Sequence, residues 1–127
     1  MSLTIVHIKP TETTPEVKFD PTTGKFEIKG RSITENASEF YNPLIDWVKT
    51  YTGNAAGSTT VDVYFDYLNT SSSKSLMHLF NVLSTISGKD VSINWLHKKD
   101  DEAMKEAGED FNTIVNLPFN IVATDSI

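Results

Sequence analysis

Four consecutive hydroxyl side chains, Thr70-Ser71-Ser72-Ser73, follow Leu68-Asn69 at the point where a strand-like pattern gives way to a helix-like one. Ser, Thr and Asn at such a corner ordinarily act as caps, a side-chain oxygen accepting one of the amide protons that the first helical turn leaves unpaired. One cap needs one oxygen, and the run supplies several. A phosphoryl group on any of these hydroxyls would meet the remaining amides and the positive end of the helix dipole. The chemistry that this placement suits is that of a kinase substrate. Lys74 stands four residues after Thr70, on the same side of a helix, and could receive such a phosphate, although a lysine in the first turns of a helix is commonly just solvated.

Other reactive side chains are dispersed. Asp100-Asp101-Glu102 forms an acidic cluster, but acids at a helix start complement the dipole without further purpose, and no suitably spaced ligands accompany them, so no metal site is expected. His7, His78 and His97 share no spacing that would pair a base with a nucleophile. G-x-x-x-x-G-K-[ST], G-x-G-x-x-G and G-x-S-x-G are all missing. No catalytic residue and no cofactor are predicted.

The elements that would position the corner follow from periodicity. Leu3 to Ile8 reads as a short edge strand. Val17 and Phe19, then Phe26 and Ile28, alternate with polar neighbours around Pro21-Thr22-Thr23-Gly24, which predicts a hairpin. From Ala37, residues Phe40, Tyr41, Leu44, Ile45, Trp47, Val48 and Tyr51 recur at helical spacing, with Asn36 as cap and Pro43 predicting a kink or a separate first turn. Thr60 to Leu68 alternates cleanly as a strand. The helix after the corner carries Leu76, Leu79, Phe80, Leu83 and Ile86 and is expected to stop at Gly88. A strand through Val91, Ile93 and Trp95, a helix from Asp100 to Thr113 and a strand from Leu117 to Val122 complete the chain. Trp47 and Trp95 both read as core. The order predicts one α/β sandwich, residues 1–127 as a single domain, with a mixed sheet of five or six strands and right-handed crossovers.

Composition narrows the classes of partner. The 127 residues include 17 acidic and 11 basic side chains, a formal net charge of −6, which repels phosphate backbones and anionic membranes, so neither nucleic acid nor membrane is an expected partner. No cysteine is present, which removes thiol chemistry altogether. The start of the chain lacks a basic segment followed by an apolar run, and no stretch reaches the ~18 apolar residues of a membrane span. The cytoplasm is the expected compartment.

Several segments, in order, resemble one family. These are Thr14-Pro15 with Val17 and Phe19, Gly24-Lys25-Phe26, Gly30-Arg31-Ser32, Glu35-Asn36 leading to Phe40-Tyr41 and Trp47, Tyr67-Leu68-Asn69-Thr70-Ser71-Ser72, and Pro118-Phe119. Together they resemble the SiaC-type regulatory phosphoproteins, whose fold is similar to the STAS domains of anti-anti-sigma factors. The resemblance implies phosphorylation at Thr70, with Ser71 as the second choice, and a surrounding surface that includes Leu68, Asn69, Ser71, Ser72 and Lys74. It further implies a protein without enzymatic activity of its own, phosphorylated by a protein kinase, dephosphorylated by a PP2C-type phosphatase, and binding and activating a diguanylate cyclase when unmodified. That would place it in cyclic-di-GMP signalling and biofilm control. Thr34 departs from the family, which often has proline there; as a loop position far along the sequence from the corner, it is expected to matter little. The alternative reading is a small-ligand or structural domain in which Thr70 only caps a helix.

Overall fold

A computed structural model describes residues 3–125. Its elements run β1 (Val6–Ile8), β2 (Glu16–Asp20), β3 (Lys25–Ser32), α1 (Ala37–Thr52), β4 (Ser58–Leu68), α2 (Thr70–Leu83), β5 (Asp90–Lys98), α3 (Glu102–Ile114) and β6 (Phe119–Thr124). The six strands form one mixed sheet in sequence order, antiparallel from β1 to β3 and parallel from β3 to β6. The predicted α/β class and strand count hold.

Register explains why one face of this sheet is apolar. Val6, Phe19, Phe26, Val61, Ile93 and Phe119 align across all six strands, and Ile8, Val17, Ile28, Val63, Trp95 and Ile121 form the next row on the same side. Their central members are fully buried, and all three helices cover them. Trp47 of α1 packs on Phe19 and Phe26, each with ring centroids 5.5 Å away. Phe80 of α2 meets Phe111 of α3 at 5.7 Å, and Phe111 meets Trp95 at 5.1 Å. The opposite face is solvated. There His7, Lys18, Glu27, Asp62, Asn94 and Asn120 align, with Asn94 Nδ2 donating to Asp62 Oδ1 at 2.9 Å and Asn120 Nδ2 to Asn94 Oδ1 at 3.0 Å.

The hairpin turn closes at Gly24, whose φ of +74° suits glycine, and a Cβ there would lie 1.9 Å from the Ser58 carbonyl oxygen. The turn is thereby pressed against the start of β4. Several boundaries differ from the sequence expectation. The first strand is only Val6–Ile8. The second helix ends at Leu83 rather than Gly88, because Ser84 and Thr85 turn their hydroxyls back on the Asn81 and Val82 carbonyls at 2.6 Å and tighten the chain out of the helix. Ile86, expected on the helical stripe, packs from beyond the helix end.

Pro43 does not set off a separate first turn. α1 runs unbroken through it, since Pro43 is exposed and the carbonyl it leaves unpaired, on exposed Glu39, is on the solvent side. Asn36 does hold the cap position of α1, but its side chain accepts no amide and instead donates from Nδ2 to Glu39 Oε2 at 2.7 Å. Trp47 is only half-buried, with Nε1 donating to the Thr4 carbonyl at 3.1 Å, whereas Trp95 is completely enclosed.

Candidate functional site

The corner is built outward from Asn69. β4 is one of the two inner parallel strands, and its last residue, Leu68, is paired with Ser32 at the end of β3. The Asn69 amide then donates to the Ser32 carbonyl at 3.0 Å. Its backbone is extended, with φ −88° and ψ 172°, and its Oδ1 accepts the Ser72 amide at 2.9 Å. The cap is therefore Asn69, and Thr70 is the first helical residue. A capping role for Thr70 itself is corrected by this geometry: an amide side chain one residue earlier already satisfies the third helical N–H.

Three of the four hydroxyls are committed or hidden. Ser73 Oγ donates to the Asn69 carbonyl at 3.0 Å, and Ser71 Oγ reaches the Thr34 carbonyl at 3.4 Å. Ser72 is completely buried, with its Oγ unpartnered among the described residues. Thr70 differs from all of them. Its side chain is exposed and makes no hydrogen bond among the described residues. Because Asn69 takes up the Ser72 and Ser73 amides, those of Thr70 and Ser71 have no acceptor within the helix and lie where a phosphate on Thr70 would find them.

Thr34, expected to be remote from the corner, is in contact with it. Its carbonyl accepts from Asn69 Nδ2 at 3.0 Å as well as from Ser71 Oγ. The contact is through the backbone oxygen, which any residue at this position would present. Behind it, Ser32 Oγ and the Tyr41 hydroxyl share a buried hydrogen bond of 2.6 Å. Burial pushes the Tyr41 hydroxyl up to about 12, with the bond to Ser32 opposing the shift.

Thr70 also lines an open groove of about 320 Å³ between α2 and α3, together with Ser73, Lys74, Met77, Ala107, Asp110, Phe111 and Ile114. Ile114 is 65% exposed. Lys74 is one turn from Thr70, as expected. The α3 contribution was not foreseen. Its signal was weak but present: Thr70, Lys74 and Met77 share one helix side at spacings of four and three, adjacent to the core stripe rather than on it. On the other flank, Arg31 lies over the exposed Tyr67 ring, 5.3 Å from its centroid.

The remaining candidates do not converge. His7 and, on α2, His78 are exposed, while His97 is buried with Nδ1 2.7 Å from the Lys98 carbonyl. Asp101 caps α3 through the Met104 amide at 3.0 Å. Among the described residues, no group of three or more His, Cys, Asp or Glu side chains is arranged to hold a metal ion, and no helix is long and apolar enough to cross a membrane.

Comparison with known proteins agrees with the geometry. Residues 8–124 match the model of the SiaC family regulatory phosphoproteins. An uncharacterised protein of Pseudomonas aeruginosa strain UCBPP-PA14 is 32% identical over 122 residues, covering 94% of this chain and 97% of that protein. Apo-SiaC from P. aeruginosa superposes with a TM-score of 0.84 at 30% identity, over 95% of this chain and all of that one. A chain from the structure of the P. aeruginosa diguanylate cyclase SiaD in complex with its activator SiaC superposes with a TM-score of 0.86 at 31% identity, over 94% of this chain and 99% of that one. With the family model spanning nearly the whole chain and the same fold in the solved relatives, this protein belongs to the SiaC family of regulatory phosphoproteins.

Proposed function

We propose that this protein is a phosphorylation-switched binding partner in the cytoplasm, acting by association rather than catalysis, whose unmodified form binds and activates a diguanylate cyclase. A protein kinase places the phosphate on Thr70 and a PP2C-type phosphatase removes it. The observation that carries this reading is the selective exposure of Thr70. It is the one exposed and unengaged hydroxyl among the four, and it opens directly onto an apolar groove. The P. aeruginosa relative, an activator bound to its cyclase, supplies the class of partner.

The switch follows from electrostatics. A phosphate adds about −1.5 to −2 charge. Held by the Thr70 and Ser71 amides and by Lys74, it would sit at the groove mouth, where a docking partner must strip its water. Losing ~3 kcal/mol of binding weakens association more than a hundredfold. Ser71 is the weaker candidate, because its hydroxyl is half-buried and turned toward Thr34.

Binding of the cyclase, measured by calorimetry with wild type, Thr70→Ala, Thr70→Asp and the kinase-treated protein, tests the reading. Wild type and Thr70→Ala should bind alike, and the other two at least tenfold more weakly. Equal affinities for all four, or phosphate found by mass spectrometry only on residues other than Thr70, would overturn it.

A further inference from the structure

The two edge strands of the sheet differ in length and in the residues that compose them. β1 is three residues long and is followed at once by Lys9-Pro10, the kind of short, charged, proline-bounded edge that discourages further pairing. β6 is also bounded, by Pro118 before it and Asp125 after it, but it is twice as long and carries no such residue within its length. It is six residues, Phe-Asn-Ile-Val-Ala-Thr, without a charge, a proline or a bulge, and Val122 is 40% exposed on it.

The free hydrogen-bonding groups of this edge belong to its odd-numbered residues. The Ile93 amide donates to the Pro118 carbonyl at 3.0 Å and the Lys99 amide to the Thr124 carbonyl at 3.2 Å. In a parallel ladder alternate residues face the neighbouring strand, so the even-numbered residues of β6 turn to β5. The backbone N–H and C=O groups of Phe119, Ile121 and Ala123 therefore point outward along the open edge.

We propose that this edge pairs with the same edge of a second copy of the chain, antiparallel and centred on Ile121, joining two six-stranded sheets. The strand is self-complementary in that register. Phe119 faces Ala123 of the second copy, large against small, and Ile121 faces itself. On the other face of the sheet Asn120 lies opposite Val122. No charge is set against its own copy, the clash that most often forbids such self-pairing. All three outward residues exchange both backbone bonds, which fixes the register. The assembly is independent of the Thr70 switch, which lies on the α2 side of the molecule.

Sedimentation equilibrium over ~10–500 µM, the range in which a small interface operates, should show the average mass rising from 14.2 kDa toward twice that value. Ala123→Pro removes an outward amide while sparing the bonds to β5, so it should stay at 14.2 kDa throughout with an unchanged circular dichroism spectrum. Should that variant fold poorly, a second arm decides. The chain has no cysteine, so Ile121→Cys on its own should form a disulfide-linked dimer under mild oxidation, whereas Ser38→Cys on the exposed side of α1 should not. Wild type that remains monomeric at the highest concentration, a dimer that persists in a folded Ala123→Pro variant, or equal cross-linking from both cysteines would overturn the proposal.

Discussion

Behind the corner, Tyr41 and Ser32 form a buried pair joined hydroxyl to hydroxyl, and its consequence is a pH dependence. The folded state holds the Tyr41 proton until about pH 12, against an ordinary value of 10.0. Because the folded value is the higher one, the associated stability is fully present below pH 10 and is lost as pH rises from there toward 12. A rise from 10.0 to about 12 corresponds to about 3 kcal/mol. Urea titrations at pH 9 and pH 11 should therefore show a loss of order 1 kcal/mol that Tyr41→Phe does not show, although that variant starts lower because Ser32 Oγ is left buried without a partner. An identical alkaline slope in both proteins would dissociate Tyr41 from it. The same pair steadies Ser32, whose carbonyl holds the Asn69 amide, so the residue that presents Thr70 is supported from the core.

At the scale of elements, the groove beside Thr70 exists because α3 can lie close to β5. Gly108 makes the approach possible: a Cβ at that position would come within 2.5 Å of Trp95 Cδ1, and Trp95 Nε1 already donates to the Met104 carbonyl at 2.9 Å. Helix and indole are thus locked at two points. Gly108→Ala gains about 1 kcal/mol of helix propensity but must displace a ring that has nowhere to go, and overpacking of this kind costs about 1–3 kcal/mol. The expected result is a net loss of stability with a change in Trp95 fluorescence and a weaker grip on any partner that uses the groove. Measured on a Trp47→Phe background, an unaltered emission spectrum and midpoint would show that α3 can move aside freely.

For the whole molecule, a sheet covered on one side only makes stability uneven. β4 lies between two parallel neighbours beneath the helices, with Val61 and Val63 completely buried and Phe65 nearly so, while β1 is short, peripheral and half-exposed. Amide exchange should be slowest in β4 and the facing part of β5 and faster in β1 by several orders of magnitude, since β1 can open without unfolding the rest. Uniform protection from β1 to β5 would mean that the sheet opens only as a unit. The corner that carries Thr70 inherits the rigidity of β4, which is what a surface switch requires if the added charge is to act on the partner instead of unfolding its own domain.

The amino-acid sequence by itself determined the order of strands and helices, the apolar side of each, and the corner where a hydroxyl run meets a helix start. Those features are local: alternation, helical spacing and turn chemistry act over a few residues, and the family pattern of Tyr67 to Ser72 is written at that same range. Only the tertiary structure decided which hydroxyl is available. Thr34 takes one from 37 positions away, the core hides another, and Asn69 removes the need for Thr70 as a cap. Likewise Met77 shows which side of α2 is apolar but not that Phe111 and Ile114 stand across from it. The end of α2 at Leu83 and the continuity of α1 through Pro43 depended on side-chain bonds and solvent access that periodicity does not encode. A pattern tells which face of an element seeks cover; what covers it, and what is left bare, is set by the packing of distant segments against one another.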